Sequence, residues 1–371
     1  MKKQLIVFLL IMAISSMYSL GYMKSRAKCI GIITVIMTFF AGLRSWWLGD
    51  LIKYYTQYLN CTGIQWREAV FSKWNNIGIR VLFHLAGWLH ISYDVLIFLI
   101  AAFVAYTLGK LIYHYSVSIY WSYLIYIAMG FYMFTFSGLK QSIAMGFICL
   151  AMIAILDDKP FVFYFWTFCA FIFHAPAAIF FPAYLITKKE FDAVYIWIMV
   201  ISLVSLFVFR RQFVSILSDA YYDAEISLGS SKLVGGRAIM ILLITALGCW
   251  MRPVTADDTV YKKLFSIMLI SFMLQCFSIF GNVYTRLTDY YFQFVVLYIP
   301  YILERSEHQL LMNPERKSRI RMNSHQLYMY VSTAITAFSV LYYVRYVYYS
   351  QWFLNGFKFV WQINAHNLYG R

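Results

Sequence analysis

Residues 93–112, YDVLIFLIAAFVAYTLGKLI, decide the fold class, because this apolar run is long enough to cross a membrane. A helix of about 20 residues spans the hydrocarbon core of a bilayer. A soluble fold would have to bury many such runs, whereas a bilayer accommodates them as helices that satisfy their own backbone groups. The sequence therefore predicts an all-α integral membrane protein, a polytopic bundle of about 11–12 transmembrane helices. The other apolar segments lie at 4–21, 29–44, 119–137, 138–156, 161–186, 193–209, 237–251, 264–281, 287–303 and 326–349.

The composition agrees with a membrane protein and narrows the function. Charged residues make up 13% of the 371 residues, against roughly 25% in a typical soluble domain. The net charge of +15 comes from Lys and Arg in short loops between apolar runs, which indicates membrane topology and excludes nucleic acid as a partner. The six cysteines form no CxxC pair and no cluster at metal-ligand spacing, so they indicate neither disulfides nor zinc. The sequence has no DxD motif and no acidic pair near the cations, so we expect no metal and no cofactor.

The charged segments orient the chain, which we predict to be one polytopic domain over 1–371. The strongest signal is the basic stretch 304–325, which marks a cytoplasmic loop. Counting spans from it places 45–76 and 210–236 in large external loops, the first with a possible interfacial helix that extends to residue 91. The start of the chain fits either a signal peptide or a first helix, and the basic residues that follow favour a retained helix.

Two stretches leave the topology open. Segment 77–91 is short for a span and carries Arg80, so it either lies in the membrane interface or re-enters. Segment 161–186 has His174 and two prolines in its second half, so it is either one bent span or two half-helices that meet at His174. With no span in the first and a hairpin in the second, Lys140 and His174 both face outside. With two simple spans, Lys140 faces the cytoplasm.

The stretch FAGLRSWWLGDLIKYYTQY, residues 40–58, combines charges and rings at the end of an apolar run. Arg44 by itself is typical of a side chain that reaches the lipid headgroups, with Trp47 in an aromatic belt. The acid Asp50 and the rings of Tyr54 and Tyr55 follow Arg44 closely in the sequence. This spacing favours a functional site at the outer end of the helix instead.

Polar residues also stand inside three other apolar segments. Lys140 and Gln141 open a helix, where an ammonium and free N–H groups would favour an anion such as phosphate; the alternative is an interfacial anchor. His174 is either a packing residue or a proton carrier. Arg286 precedes Asp289, Tyr290 and Tyr291 by about one turn; it either forms a surface pair with the acid or grips phosphate oxygens.

Four motifs occur in order along the chain: LRSWWLGDLIKYY at 43–55, FSGLKQSIA at 136–144, FCAFIFHAPAAIFFPAYL at 168–185, and TRLTDYYF at 285–292 with Pro300 beyond it. Together they resemble the EpsG family of Wzy-like polysaccharide polymerases. In that family the first motif usually has Gly-Thr before its Asp, where this chain has Leu48-Gly49. The second usually has Arg-Gln, where this chain has Lys140-Gln141, a change that keeps the charge but loses the bidentate geometry of arginine.

The resemblance implies a GT-C-like polymerase in the bacterial cytoplasmic membrane. Its donor and acceptor would be oligosaccharide repeat units on undecaprenyl diphosphate, with membrane lipids, a chain-length regulator and a flippase as further partners. Arg44 and Arg286 would bind the diphosphate, with Lys140 as a weaker third cation, and Asp50 or His174 would be the base. The substrate contacts implied are Trp47, Tyr54, Tyr55, Lys140, Gln141, Tyr290 and Tyr291.

Two other functions fit some of these features. An integral-membrane O-acyltransferase also combines Arg and His near one face, but it modifies an existing glycan rather than lengthening it. A flippase or transporter of lipid-linked sugars would use buried cations to carry the diphosphate. A transporter is expected to show an internal repeat, and none is visible in this sequence.

Overall fold

A computed structural model of the chain is helical throughout its described parts, apart from short 3₁₀ turns and one isolated β-bridge. The chain divides into two compact units, one formed by 1–150, 172–174 and 333–371 and the other by 151–171 and 175–332. The structure describes residues 2–45, 51–71, 77–189, 201, 204–205, 208–209, 212, 234–255, 258–280, 282–312, 324–349 and 358–362.

The first unit is built around the pair α2 and α6, which pack along their lengths. Ser25 caps the start of α2 by accepting a hydrogen bond from the Lys28 N–H. Gly42 lets the helices approach closely, since a Cβ there would lie 2.7 Å from the Phe98 ring. Helix α1 packs on α2 and α7, and α3 and α4 pack on α5. The helices are α1 (Lys2–Ser19), α2 (Arg26–Gly42), α3 (Leu51–Thr62), α4 (Trp66–Phe71), α5 (Ile77–Trp88), α6 (Tyr93–Tyr115), α7 (Ile119–Ala128), α8 (Phe131–Phe134) and α9 (Leu139–Leu156), whose last turns belong to the second unit.

The second unit centres on α13, which packs against α11, α12, α14 and α15. Asp258 caps the start of α13, with its carboxylate accepting from the Val260 N–H at 3.0 Å and the Tyr261 N–H at 3.2 Å. The helices are α10 (Pro160–Phe173), α11 (Ala183–Lys188), α12 (Val234–Thr255), α13 (Thr259–Cys276), α14 (Asn282–Phe292) and α15 (Val295–Met312); α16 (Ser324–Tyr349) begins here and continues into the first unit.

The distribution of polar and apolar side chains is that of a membrane protein. Three helices are long and apolar enough to cross a bilayer, namely α6, α9 and α13, and shorter apolar helices lie at Lys3–Ser19, Ile77–Trp88, Ile119–Ala128, Pro160–Phe173, Gly236–Gly248 and Val295–Glu304. Large apolar side chains such as Leu9 and Leu341 are exposed, while Ser122 and Thr167 are fully buried. This arrangement supports the predicted polytopic membrane fold; the number of spans remains a prediction.

The structure corrects parts of the predicted organisation. The stretch 45–76, predicted as an external loop with a possible interfacial helix, contains helices α3 and α4, both of which pack on α5. Helix α15 continues to Met312, so the basic stretch 304–325 begins as helix. The predicted external loop 210–236 falls almost wholly outside the described residues, as does most of 193–209.

Segments 77–91 and 161–186, whose topology the sequence left open, agree with the first alternative, in which 77–91 does not span and 161–186 is a hairpin. Helix α5 has 12 residues, fewer than the roughly 20 needed to span a bilayer. Segment 161–186 breaks at His174, between α10 and a 3₁₀ turn at Ala175–Phe180. The structure therefore favours two half-helices over one bent span.

A buried lysine holds three helix ends together in the second unit. Lys263 on α13 donates to the Ile155 carbonyl in the last turn of α9 at 2.9 Å and pairs with Asp158 at 2.9 Å. Asp158 also lies 3.6 Å from Lys188 at the end of α11. The lysine thus adds a second hydrogen bond to a carbonyl at the end of α9, which also accepts from the Asp158 N–H at 3.2 Å.

We expect Lys263→Met to destabilise the protein by about 1–3 kcal/mol, because it removes charged hydrogen bonds at a buried position. Thermal unfolding in detergent measures this effect. Lys262→Met, next along the same helix, is the matched control and should change the melting temperature much less.

The contribution of Asp158 should depend on pH. The hydrogen bond from Lys263 lowers the pKa of Asp158 from its ordinary value of 3.8. The pair therefore stabilises the fold above that value and loses its effect as the pH falls below it. The difference in melting temperature between wild type and Lys263→Met should shrink in acid, and a constant difference would contradict this assignment.

Candidate active site

Arg44 lies just beyond α2 and is buried, with 3% of its surface exposed. Its guanidinium donates a hydrogen bond to the Ala41 carbonyl, while its Nε has no hydrogen-bond partner. The Phe136 ring lies 5.6 Å from its charge. The ionisable groups that act on it are the phenols of Tyr93 and Tyr132, and no carboxylate pairs with it among the described residues. Arg44 is therefore a buried cation with no anion beside it in the described part of the chain.

A narrow cleft connects Arg44 with the start of α9. Its walls include Arg44 and, from the first turn of α9, Leu139 and Ser142. In this structure the cleft has room for little more than a water molecule. Lys140 lies in the same turn of α9 and is half-buried. Arg44 and Lys140 therefore lie at the same end of the first unit, as the first topology requires.

An aromatic cluster surrounds Lys140. The Lys140 ammonium lies 5.5 Å from the centre of the Tyr54 ring. Tyr55 and Tyr58, on the same helix, contact Tyr93 with ring centres 5.2 Å and 5.4 Å apart. Tyr58 is buried and donates to the Ile91 carbonyl, whereas Tyr54 and Tyr55 are half-buried. The structure thus brings Lys140 close to the half-buried rings of α3.

Arg80 is a buried cation that the predicted site did not include. It is 7% exposed on α5, in the helix that packs on α3. Burial raises the pKa of the Cys61 thiol on α3, and the charges of Arg80 and Lys140 both act in the opposite direction. Both cations therefore lie near one thiol. The sequence signal was an arginine inside an apolar segment, which we used for topology alone.

His174 lies at the break between α10 and the following 3₁₀ turn and is 8% exposed. The preceding Phe173 packs on Phe147 of α9, with ring centres 5.5 Å apart, and against Gly78 of α5. Gln141, on the first turn of α9, is also buried. The break therefore places His174 in the first unit, next along the chain to a phenylalanine that contacts α5 and α9.

The second unit holds the fourth motif. Arg286 is exposed on α14, and Asp289 forms an ion pair with Arg237 of α12. The Arg237 guanidinium also lies 5.3 Å from the Phe292 ring. Arg237, which the predicted site did not include, therefore supplies a partner for the acid of this motif.

Tyr290 and Tyr291, predicted as substrate contacts, are core residues in this structure. They are 0% and 1% exposed, and the Tyr291 hydroxyl donates to the Ile179 carbonyl at 2.6 Å. Burial of this kind gives them a packing role, and substrate contact remains a prediction. Asp50 and Trp47 lie outside the described residues.

The predicted site is thus divided between the units. Arg44, Lys140, Gln141, Tyr54, Tyr55 and His174 belong to the first unit, and Arg286, Tyr290 and Tyr291 belong to the second. The first unit alone brings together two predicted cations, the histidine and two partly open rings.

A comparison with known protein families identifies the family of this chain. A model of the EpsG family matches residues 27–350, which is most of the 371-residue sequence. The chain belongs to the EpsG family. This EpsG-family chain gave no match among curated proteins or solved structures. Family membership and the apolar helices together make it a membrane protein of polysaccharide biosynthesis.

Proposed function

We propose that this EpsG-family protein is a polysaccharide polymerase with a GT-C-like architecture in the bacterial cytoplasmic membrane. It joins oligosaccharide repeat units carried on undecaprenyl diphosphate at the outer face of that membrane. The growing chain moves from its lipid diphosphate to a hydroxyl of the next unit. A chain-length regulator and a flippase are the proposed protein partners.

The observation that supports this proposal most strongly is the burial of the Arg44 charge. An arginine that is 3% exposed and has no paired carboxylate among the described residues is costly to keep. An anionic ligand would offset that cost, and guanidinium groups bind phosphate oxygens in a bidentate manner. A lipid diphosphate is an anion that would reach this position from the membrane.

The surroundings of Arg44 fit such a substrate. Lys140 lies at the same end of the unit and adds a second positive charge. Arg80, whose charge acts on the same Cys61 thiol as that of Lys140, adds a third. The half-buried rings of Tyr54 and Tyr55 offer flat apolar faces, against which a sugar ring would stack.

The chemistry requires one bond to break and one to form. The bond between the anomeric carbon and the diphosphate oxygen breaks, and the acceptor hydroxyl oxygen bonds to that carbon. The hydroxyl proton passes to a base, Asp50 or His174, and undecaprenyl diphosphate leaves. Positive charge held beside the diphosphate stabilises the charge that develops on the leaving group.

The test of the function is the length distribution of surface glycan, by gel, in a strain deleted for this gene. A polymerase predicts loss of long chains with the single repeat unit retained on its acceptor, and recovery with the wild-type gene. Unchanged length with altered acylation would instead indicate an O-acyltransferase. Loss of even the single unit would indicate a transporter.

Lys140 offers a graded test of the cation cluster. We expect Lys140→Ala to reduce polymer by less than the roughly hundredfold loss that follows removal of one preorganised group, because it removes a charge that only assists Arg44. Lys140→Arg should keep at least wild-type activity, since it restores the residue usual at this position of the motif. Polymer assays normalised to protein amount measure both, and an inactive Lys140→Arg variant would contradict a purely electrostatic role.

A further inference from the structure

A short segment near the end of the sequence pairs with the backbone that carries Arg44. We call residues 358–362 the strap. The Ser45 N–H donates to the Lys358 carbonyl at 2.7 Å, and the Val360 N–H donates to the Leu43 carbonyl at 3.1 Å. Arg44 and Phe359 are the paired residues of an isolated antiparallel bridge. Backbone hydrogen bonds therefore hold the chain on both sides of Arg44.

Side chains anchor the strap to the first unit. The Phe359 ring lies 5.9 Å from the Phe40 ring of α2 and stacks on Trp361 at 4.6 Å. The Lys3 ammonium of α1 lies 4.6 Å from the centre of the same Phe359 ring. Phe359 thus fixes the strap against the ends of two helices.

The strap lies beyond the part of the chain that the family model matches, which ends at residue 350. Arg44 itself follows α2, so no helical hydrogen bond continues through it. Among the described residues, the hydrogen bond of its side chain goes to the Ala41 carbonyl, in the preceding turn. The direction of the guanidinium therefore depends on a backbone that the strap holds in place.

We propose that the strap is a positioning element for Arg44, with Phe359 as its anchor. It fixes the backbone of Leu43–Ser45 so that the guanidinium faces the cleft at the start of α9. This inference rests on the proposed role of Arg44 in binding the lipid diphosphate. The strap stays closed during the reaction, since it holds Arg44 from its backbone side.

The first test replaces the anchor. Phe359→Ala should reduce polymer synthesis by about tenfold to a hundredfold, the effect of misplacing a group by an ångström or so. Protein amount and melting temperature should stay close to wild type, and Phe359→Tyr should restore activity. Phe161→Ala is the matched control, because that ring is 89% exposed. Full activity of Phe359→Ala would overturn the proposal.

The second test locks the strap with a disulfide. Leu43→Cys combined with Val360→Cys places two thiols across the bridge, and each single variant is a control. Oxidation should form the cross-link and leave polymer synthesis unchanged. A cross-linked protein that is inactive until it is reduced would mean that the strap must open, and absence of any cross-link would contradict the pairing.

The two proposals fail in different ways. If Arg44→Ala makes normal polymer, the role of Arg44 is wrong. If Arg44→Ala is inactive while Phe359→Ala makes polymer like wild type, the role of the strap alone is wrong.

Discussion

Arg44→Ala should reduce polymer synthesis at least about a hundredfold, the effect of removing one preorganised group that stabilises a developing charge. The residue is buried, donates to the Ala41 carbonyl and lies over the Phe136 ring. Its loss removes a buried charge that pairs with no carboxylate among the described residues, so the protein should remain folded in the membrane. Polymer length on a gel and protein amount by immunoblot measure the two effects separately.

Two variants sharpen this result. Arg44→Lys keeps the charge but loses the bidentate geometry, and should recover only a small part of the activity. Arg345→Ala removes an exposed arginine of α16 and should leave polymer unchanged. Arg44→Ala with normal polymer would remove the main support for a diphosphate site in the first unit.

Arg286→Ala should also abolish long chains without lowering the amount of protein. The side chain is exposed on α14, so its removal leaves no buried charge behind. Its motif resembles the cation-bearing motif of the family, and we propose that it binds an anionic part of the substrate. The measurement is polymer length in the deletion strain that carries the variant.

A comparison with Arg237→Ala distinguishes loss of polymerase activity from loss of folded protein. Arg237 forms the ion pair with Asp289, whose loss leaves that acid without its partner at a poorly exposed position. We therefore expect less protein and a lower melting temperature for Arg237→Ala, unlike Arg286→Ala. Normal polymer from both Arg44→Ala and Arg286→Ala would defeat the assignment of the two arginines.

The helices were largely predictable from the sequence, because apolar length is a direct signal of a span. The break at His174 was also predicted as one of two alternatives, since prolines at 176 and 182 disfavour a continuous helix. For 45–91 the sequence predicted no more than a possible interfacial helix, without the bounds of α3 and α4, because a short amphipathic helix has little apolar length. The stability of α3 and α4 comes from packing on α5, which the sequence of 45–76 does not reveal.

Site residues could be predicted from the sequence where they belong to a recognisable motif. They could not be predicted where their position depends on packing between helices. Arg44 and Lys140 stood out as cations at the ends of apolar runs, and the structure places them at one end of the first unit. Tyr290 and Tyr291 were predicted as substrate contacts beside Arg286, whereas the structure buries both rings. The strap has no signal of its own, because its pairing with Leu43–Ser45 joins residues more than 300 positions apart.

The most direct test of the central claim is an assay with purified protein and lipid-linked repeat units. It measures released undecaprenyl diphosphate and new glycosidic bonds together, for wild type and Arg44→Ala. The account predicts one diphosphate released for each bond formed by wild type, and neither product from Arg44→Ala. Polymer formed by Arg44→Ala at the wild-type rate, or bonds formed without release of diphosphate, would contradict it.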